Sequence, residues 1–334
     1  MPDAAKPAVL VTAAKLAPEA VAILEAAGYA VPCTSGYPSE AELLAAVATH
    51  RPIALLHRQG IINAAVMEAA APALRVIARH GAGVDGIDLA AAEARGLTVT
   101  RAAGANSRSV AEHAMALMLA MLKDLPAVQA GMRDGLWEKT SRMTRDVDGV
   151  SLGILGYGAI GSKVARLAEA FGMRVAAYDP LLPAGPLPGP GERVADLEAL
   201  LARAEVLSLH CPLDATTRGL IGAAELALLP RGAILVHTAR GGIVDEAALL
   251  AALDGGHLAW AGLDVFEREP LDLASPLRGH PRVLPTPHLA ANTPRGAVGM
   301  STGAAESIVA VLAGRLPALQ GAIVVPGGLR LAAA

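Results

Sequence analysis

The sequence predicts an α/β protein made of two doubly wound, parallel-sheet domains. Its length of 334 residues corresponds to about two domains. Short apolar segments such as Pro52–Leu56 alternate with helix-like stretches along most of the chain, a pattern typical of strand–helix–strand units. Segments such as Ala233–Val236 are continuously apolar, as expected for strands whose sheet is covered on both faces.

Hydrophobic periodicity and turn signals place the individual elements along the chain. The predicted strands are Ala8–Thr12, Pro52–Leu56, Leu74–Ala78, Ser151–Gly156, Arg174–Tyr178, Val206–His210, Ala233–Thr238, Trp260–Asp264 and Arg282–Pro285. The predicted helices are Pro18–Ala27, Glu40–His50, Ile62–Ala70, Ile160–Phe171, Leu197–Ala204, Ala223–Leu228 and Asp245–Leu253. Two longer helices are predicted at Ser109–Leu125, opening with a capping box of Ser109 and Glu112, and at Pro294–Ala313.

Composition excludes several classes of protein. The chain is 53% hydrophobic, which argues against intrinsic disorder. The net charge of −3 leaves no broad basic surface for nucleic acid. The apolar run Ala114–Leu122 has nine residues, whereas a membrane-spanning helix needs about 20. With 2 Cys, no disulfide framework is expected. We therefore expect a soluble, cytoplasmic protein without nucleic-acid or membrane partners and without a metal site.

A glycine-rich motif follows the predicted strand at residue 151. Gly156, Gly158 and Gly161 form the pattern G-x-G-x-x-G, and a helix is predicted directly after it. In this context the first glycine permits a tight turn, the second lets the backbone approach a pyrophosphate, and the third allows close helix–strand packing. The phosphates then lie at a helix N-terminus. The motif predicts a Rossmann dinucleotide-binding domain, with further cofactor contacts from Tyr157, Ala159 and Ile160.

Asp179 indicates which dinucleotide is bound. It lies 18 residues after Gly161, at the end of the next predicted strand. A carboxylate there accepts a hydrogen bond from the ribose 2′-hydroxyl and repels a 2′-phosphate. No Arg or Lys follows within the next ten residues. The sequence therefore predicts NAD as the cofactor, with the neighbouring Pro180 as a further contact.

Chemically distinctive side chains follow three later strands. They are Arg240, then Asp264 with Glu269, and finally His288. The carboxyl ends of strands in a doubly wound sheet lie at one edge, where ligands bind. Hydride transfer from the cofactor to a 2-keto acid is a reaction that needs such a set of side chains. It requires a proton donor at the carbonyl, and imidazolium suits that role. A carboxylate can hold the ring, and a guanidinium can bind the substrate carboxylate.

With these motifs the sequence resembles the D-isomer-specific 2-hydroxyacid dehydrogenases over about residues 50–315. The segments that carry the resemblance are Gly81–Asp88, Asn106–His113, Gly156–Gly161, His210–Leu213, Thr238–Gly241, Gly262–Glu267 and Pro287–His288.

The resemblance implies a role for each matched residue. Arg240 would bind substrate, Glu269 would pair with the imidazole, and His288 would be the acid/base, itself in contact with the cofactor. Asp264 would contact the nicotinamide carboxamide. Substrate contacts are expected from Arg58 and from the backbone N–H groups of Ala82 and Gly83, besides Arg240. Additional cofactor contacts are expected at His210, Cys211, Pro212, Thr216, Thr238 and Ala239.

The resemblance also implies the domain organisation. A discontinuous, flavodoxin-like substrate domain would comprise residues 1–104 and 294–334, and the Rossmann NAD-binding domain residues 105–293, with the active site in the cleft between them. A homodimer is expected. Trp137 and Arg142 either reach the partner's cleft or pack within their own domain. No regulatory domain is expected after residue 334.

The expected activity is hydride transfer between nicotinamide and a small D-2-hydroxy acid or 2-keto acid. Hydroxypyruvate, glyoxylate, 3-phosphoglycerate and a sugar-derived keto acid are all candidates. Arg58, Arg75 and Arg79 are either ligands for a second anionic group of the substrate or surface charges. Two alternatives remain: an NAD(H)-sensing binding protein of the co-repressor type, and a phosphite-type anion dehydrogenase.

Overall fold

The computed structural model describes residues 6–328. Within that range the chain divides into two compact units, one formed by residues 6–106 and 293–328 and the other by residues 107–292. None of the helices in the described part of the chain has the length and apolar character needed to cross a membrane.

Strands and helices alternate through both units. The strands are β1 (Val9–Val11), β2 (Ala54–His57), β3 (Val76–Arg79), β4 (Thr98–Arg101), β5 (Ser151–Leu155), β6 (Arg174–Tyr178), β7 (Glu192–Arg193), β8 (Val206–Leu209), β9 (Ala233–His237), β10 (Leu258–Leu263), β11 (Val283–Pro285) and β12 (Ile323–Val325). The helices are α1 (Pro18–Ala26), α2 (Glu40–His50), α3 (Ala64–Ala69), α4 (Leu89–Ala94), α5 (Ser107–Leu122), α6 (Leu125–Arg133), α7 (Gly161–Ala170), α8 (Leu197–Leu201), α9 (Ala223–Leu228), α10 (Glu246–Asp254), α11 (Pro276–Gly279) and α12 (Pro294–Leu312).

The first unit contains a five-stranded sheet in the order β1-β2-β3-β4-β12. Strands β1 to β4 are parallel, and β12 is antiparallel to β4. Ala30 and Cys33 also form parallel bridges with Ala8 and Val11. If this extended segment is counted as the second strand, the parallel strands have the order 2-1-3-4-5, which is the flavodoxin-like arrangement.

The second unit contains a seven-stranded sheet in the order β11-β10-β9-β8-β5-β6-β7. Every pair of neighbours is parallel. Numbered from β5, the order is 3-2-1-4-5-6 with one further strand at the edge, which is the Rossmann arrangement. All carboxyl ends therefore lie at the same edge, and the order reverses between β5 and β8. The predicted α/β fold is confirmed.

Helices cover both faces of each sheet. In the first unit α1 and α12 pack on one face, and α2, α3 and α4 on the other. In the second unit α5 and α7 cover one face, whereas α8, α9 and α10 cover the other. Neighbouring residues of β5 show the alternation, because Ile154 packs toward α7 and Leu155 toward α8. Burial on both faces explains why these strands are continuously apolar.

Both long helices are present, α12 nearly as predicted and α5 displaced toward the N-terminus at both ends, since it ends at Leu122 and not at Leu125. Helix α12 agrees closely, and the hydroxyl of Thr293 caps it by accepting the Gly296 N–H at 3.0 Å. Helix α5 begins two residues earlier than predicted, so Ser109 is a buried residue of its first turn and the predicted capping box is wrong. A capping box is present instead at Ser39 and Glu42 of α2.

Candidate active site

The glycine loop joins β5 to α7. Gly156 has φ +90°, and a Cβ on it would lie 2.7 Å from the backbone nitrogen of Cys211. A Cβ on Gly161 would overlap the carbonyl oxygen of Gly156. Gly158 is exposed, and a Cβ there would have nothing within 4 Å. Two glycines are thus needed for packing, and the third leaves open space where a pyrophosphate can approach the backbone.

Asp179 lies at the carboxyl end of β6, beside this loop. Its Oδ2 accepts the N–H of Tyr157 at 2.8 Å, and its Oδ1 accepts the N–H of Leu181 at 2.9 Å. A carboxylate has about four acceptor sites, so two remain for ribose hydroxyls. The next cation along the chain, Arg193, donates to the carbonyls of Leu182, Pro183 and Gly185. It is therefore held by the loop instead of being available to a 2′-phosphate.

The other predicted contacts of the glycine loop divide by exposure. Ala159 and Pro180 are exposed and Ile160 is half-buried, so a ligand can reach all three. Tyr157 is 2% exposed, and its hydroxyl donates to the carbonyl of Pro190 at 2.5 Å. Its side chain therefore anchors the Pro- and Gly-rich loop of residues 180–191 that follows β6, and the cofactor contact expected of residue Tyr157 stays a prediction.

Arg240 follows β9 and is positioned by a close backbone approach. A Cβ on the next residue, Gly241, would overlap the carbonyl of Phe266. Only glycine therefore lets the Arg240 loop lie against the segment that carries Glu269. Arg240 Nη1 donates to the carbonyl of Ala239 at 2.6 Å. The positioning role of Gly241 was not predicted, although the adjacent glycines 241 and 242 indicate an unusual backbone conformation.

Glu269 and His288 form a hydrogen-bonded pair at the same edge of the sheet. His288 Nδ1 lies 2.7 Å from Glu269 Oε2, and Glu269 Oε1 accepts the N–H of Phe266 at 3.1 Å. Burial raises the pKa of Glu269, but the hydrogen bond and charge of His288, the Phe266 N–H and the charge of Arg240 outweigh it and lower that pKa below its ordinary value. Both side chains are more than a third exposed, so a ligand can reach the pair.

Asp264 is fully buried behind His288, with 0% exposure. Its Oδ1 accepts the hydroxyl of Thr286 at 2.6 Å and the N–H of Leu289 at 2.9 Å, and its Oδ2 accepts the N–H of Ala290 at 2.9 Å. Its carboxylate holds the turn that follows β11, and the contact of Asp264 with the nicotinamide carboxamide stays a prediction.

That turn places His288 in a left-handed conformation, with φ +50°. For a residue with a Cβ this conformation costs roughly 1–2 kcal/mol. The N–H of His288 donates to the carbonyl of Thr286 at 3.0 Å. The two following N–H groups donate to Asp264. These three hydrogen bonds offset the strain and fix the backbone that carries the imidazole.

Two other histidines lie at the ends of β8 and β9. His210 Nε2 is 2.9 Å from the hydroxyl of Ser208, and its Nδ1 is buried with no partner among the described residues. Burial lowers the pKa of His210 to about 3 and that of His237 to about 4. Both rings are neutral near pH 7 and cannot act as a second acid. His210 itself is half-buried, and the cofactor contact expected of this residue stays a prediction.

The remaining predicted cofactor contacts surround these strand ends. The hydroxyl of Thr238 is buried and has no partner among the described residues. Burial raises the pKa of the Cys211 thiol to about 11, which makes it a poor nucleophile. Pro212 and Thr216 are exposed, and the Thr216 hydroxyl donates to Asp214 at 2.6 Å. Ala239 is mostly buried.

The predicted substrate contacts of the first unit lie after β2 and β3. Arg79 Nε donates to the carbonyl of Gly83 at 2.8 Å, and its Nη1 donates to the carbonyl of Arg58 at 2.6 Å. Arg79 therefore connects the loop of Arg58 with the loop of Ala82 and Gly83. The interpretation of Arg79 as an anion ligand is not supported, because its guanidinium already binds carbonyl groups. Across residues 6–328, no three His, Cys, Asp or Glu side chains are grouped so that they could hold a metal ion.

Comparison with known proteins identifies the family. The family model "D-isomer specific 2-hydroxyacid dehydrogenase, NAD binding domain" matches residues 115–290, which is more than half of the chain. This chain belongs to the D-isomer specific 2-hydroxyacid dehydrogenase family. The resemblance inferred from the motifs is thus confirmed, and so is NAD as the cofactor.

The similarity to known relatives covers most of the length of this dehydrogenase family member. The D-3-phosphoglycerate dehydrogenase of Mycobacterium tuberculosis is 42% identical over 321 residues, which are 96% of this chain and 60% of that protein. The chain thus spans 60% of that relative's length. A solved structure from Thermus thermophilus matches with a TM-score of 0.85 and 38% identity, covering 95% of this chain and 100% of that one. The NAD⁺-bound 3-phosphoglycerate dehydrogenase of Entamoeba histolytica matches with a TM-score of 0.78 and 26% identity, covering 93% and 96% of the two chains.

Proposed function

We propose that this chain is an NAD-dependent dehydrogenase that transfers a hydride between nicotinamide and a small D-2-hydroxy acid or its 2-keto acid. One observation carries the proposal. The Glu269–His288 pair, with Arg240 close enough for its charge to act on Glu269, lies at the same sheet edge as the glycine loop. The family assignment agrees with this activity.

Each residue of the set has a distinct task in the reaction. The glycine loop and Asp179 would hold NAD, which would supply the hydride acceptor for oxidation and, as NADH, the hydride donor for reduction. His288 Nδ1 is directed at the ionised Glu269. Its Nε2 is therefore the atom that takes the hydroxyl proton during oxidation and donates a proton to the carbonyl oxygen during reduction. The planar guanidinium of Arg240 binds the substrate carboxylate and polarises the carbonyl.

The relatives support a choice among the candidate substrates. The Mycobacterium tuberculosis protein is named for 3-phosphoglycerate, so that acid is our first candidate, ahead of hydroxypyruvate and glyoxylate. We propose that Arg58, with the backbone of Ala82 and Gly83, contributes substrate contacts. All three are half-buried, and Arg79 holds the two loops that carry them.

We further propose that the protein is a cytoplasmic homodimer that binds no nucleic acid. In the second unit, Trp137 is 75% exposed and Met143 is 95% exposed. Trp137 also lines an open groove of about 260 Å³ together with Met132 and Leu136. A second subunit would cover this apolar surface. Arg142 binds Glu138 and Asp124 of its own chain, so Trp137 is the residue that we expect to contact the partner.

A panel of 2-keto acids with NADH tests the activity. Oxidation of NADH by at least one acid is expected, and the variant His288→Asn should lose turnover while still binding NADH. Asparagine tolerates the left-handed backbone at φ +50°, so this variant removes the imidazole without adding strain. Tight NADH binding without turnover on any acid would favour the co-repressor-type sensor. Reduction of NAD by phosphite alone would favour the anion dehydrogenase.

A further inference from the structure

We propose that His113 and Thr286 are positioning residues for His288 that act through the buried Asp264. The proposal rests on the function proposed above, because it assigns how the acid/base is held in place. All four residues belong to the second unit. His113 lies on α5, Asp264 directly follows β10, and Thr286 directly follows β11.

The distances define a directed chain of hydrogen bonds. The Thr286 hydroxyl lies 2.6 Å from Asp264 Oδ1 and 3.1 Å from His113 Nε2. A hydroxyl has one hydrogen, and the short contact to the carboxylate oxygen uses it. Thr286 must then accept a hydrogen from His113, so that His113 carries its proton on Nε2. His113 Nε2 also lies 3.6 Å from Asp264 Oδ1, so it directs its N–H toward the carboxylate as well.

The chain ends on the backbone next to the imidazole. Asp264 accepts the N–H groups of Leu289 and Ala290, the two residues that directly follow His288. Thr286 also accepts the N–H of His288 through its own carbonyl, at 3.0 Å. Thr286 therefore holds the left-handed turn directly through its carbonyl and indirectly through Asp264. Any relaxation of this turn changes the direction from which the imidazole meets Glu269.

Close packing of α5 on β10 brings His113 to this position. A Cβ on Gly262 would lie 2.8 Å from Met121 Cε and 3.2 Å from Leu117 Cβ. The absence of a side chain at Gly262 thus lets the helix lie against the strand. His113 is one helical turn before Leu117, and 17% of its side chain is exposed. The ring therefore makes its hydrogen bonds where water competes weakly.

Two pairs of variants test the proposal by kinetics. Thr286→Val keeps the shape of the side chain but removes the donor to Asp264, whereas Thr286→Ser keeps the hydroxyl. His113→Leu removes the donor to Thr286, whereas His113→Gln keeps an N–H near the position of Nε2. We expect kcat for keto-acid reduction to fall about 10- to 100-fold in the Val and Leu variants. The Ser and Gln variants should restore most of it, and the Kd for NADH should stay constant in all four.

A second measurement does not depend on turnover. The 2.7 Å hydrogen bond between His288 Nδ1 and Glu269 should give a downfield proton resonance, identified by its loss in His288→Asn. We expect this resonance to broaden or vanish in Thr286→Val and His113→Leu and to persist in Thr286→Ser and His113→Gln. If the wild-type protein reduced no keto acid but the resonance were still lost in Thr286→Val and His113→Leu, the positioning role would be upheld and only the proposed activity would be overturned. Unchanged kcat and unchanged resonance in folded Thr286→Val or His113→Leu would overturn the positioning role.

Discussion

Replacing Gly158 by alanine should weaken NADH binding without weakening the fold. A Cβ on Gly158 would meet nothing within 4 Å, and the φ of this residue lies outside the left-handed region. Alanine at such a position stabilises a protein by about 0.4–1 kcal/mol through the entropy of the unfolded chain. For a unit of this size that corresponds to a rise in Tm of about 1–4 °C.

The same methyl group occupies the space where a pyrophosphate would approach the loop. Losing one hydrogen bond to a charged phosphate costs about 1.5–3 kcal/mol, which corresponds to roughly a 10- to 100-fold increase in the Kd for NADH. Fluorescence titration with NADH and thermal unfolding would be measured on the same preparation. Gly161→Ala is the matched control. Its Cβ would overlap the Gly156 carbonyl, so it should lower Tm. Unchanged NADH affinity in Gly158→Ala, or a Tm below wild type, would refute the reasoning.

Three further predictions concern the choice between NADH and NADPH, the Glu269–His288 pair, and the dependence of stability on pH. Asp179→Asn should narrow the preference for NADH over NADPH, because it removes the charge that repels a 2′-phosphate. If the kcat/KM with NADH divided by the kcat/KM with NADPH were the same in wild type and variant, Asp179 would not have this role. Glu269→Gln should lower kcat by about 10- to 100-fold, because a neutral amide cannot stabilise the cationic form of the His288 ring, whose Nδ1 lies 2.7 Å from Glu269 Oε2. Stopped-flow measurement of NADH oxidation checks this prediction, and an unchanged rate would contradict it. Burial lowers the pKa values of His57 and His237 to about 4, so protonation of these rings favours the unfolded chain. The free energy of unfolding should therefore decrease as pH falls from about 6.5 toward 4. The expected slope is up to about 1.4 kcal/mol per pH unit for each ring. Urea unfolding of wild type and His237→Asn at pH 7, 6 and 5 checks this, and equal slopes would contradict it.

Features that depend on residues close together in sequence could be predicted. The alternation of strands and helices required parallel sheets, and the glycine spacing together with Asp179 indicated the NAD-binding loop. Residues at the ends of strands, such as Arg240 and His288, could be grouped because parallel strands end at one edge. The pairing of His288 with Glu269 could be expected because an acid/base imidazole needs a carboxylate to hold it.

Features that depend on distant partners could not be predicted. The sequence gives no sign that Asp264 holds a turn, because its hydrogen bonds go to residues 22 to 26 positions later. Arg79 looks like a free cation, yet it binds the carbonyl of Arg58, 21 positions earlier. His113 lies 173 positions before Thr286, and no local pattern connects them.

The sequence alone determined the fold class and the cofactor, because periodicity and glycine spacing act over a few residues, and it supplied the residues that we propose for the chemistry. Tertiary structure alone decided which polar side chains are exposed and which are buried and hold the backbone. Burial and hydrogen-bond partners depend on packing between strands and helices that are far apart along the chain. That packing buries the carboxylate of Asp264 and leaves the carboxylate of Glu269 partly exposed beside His288.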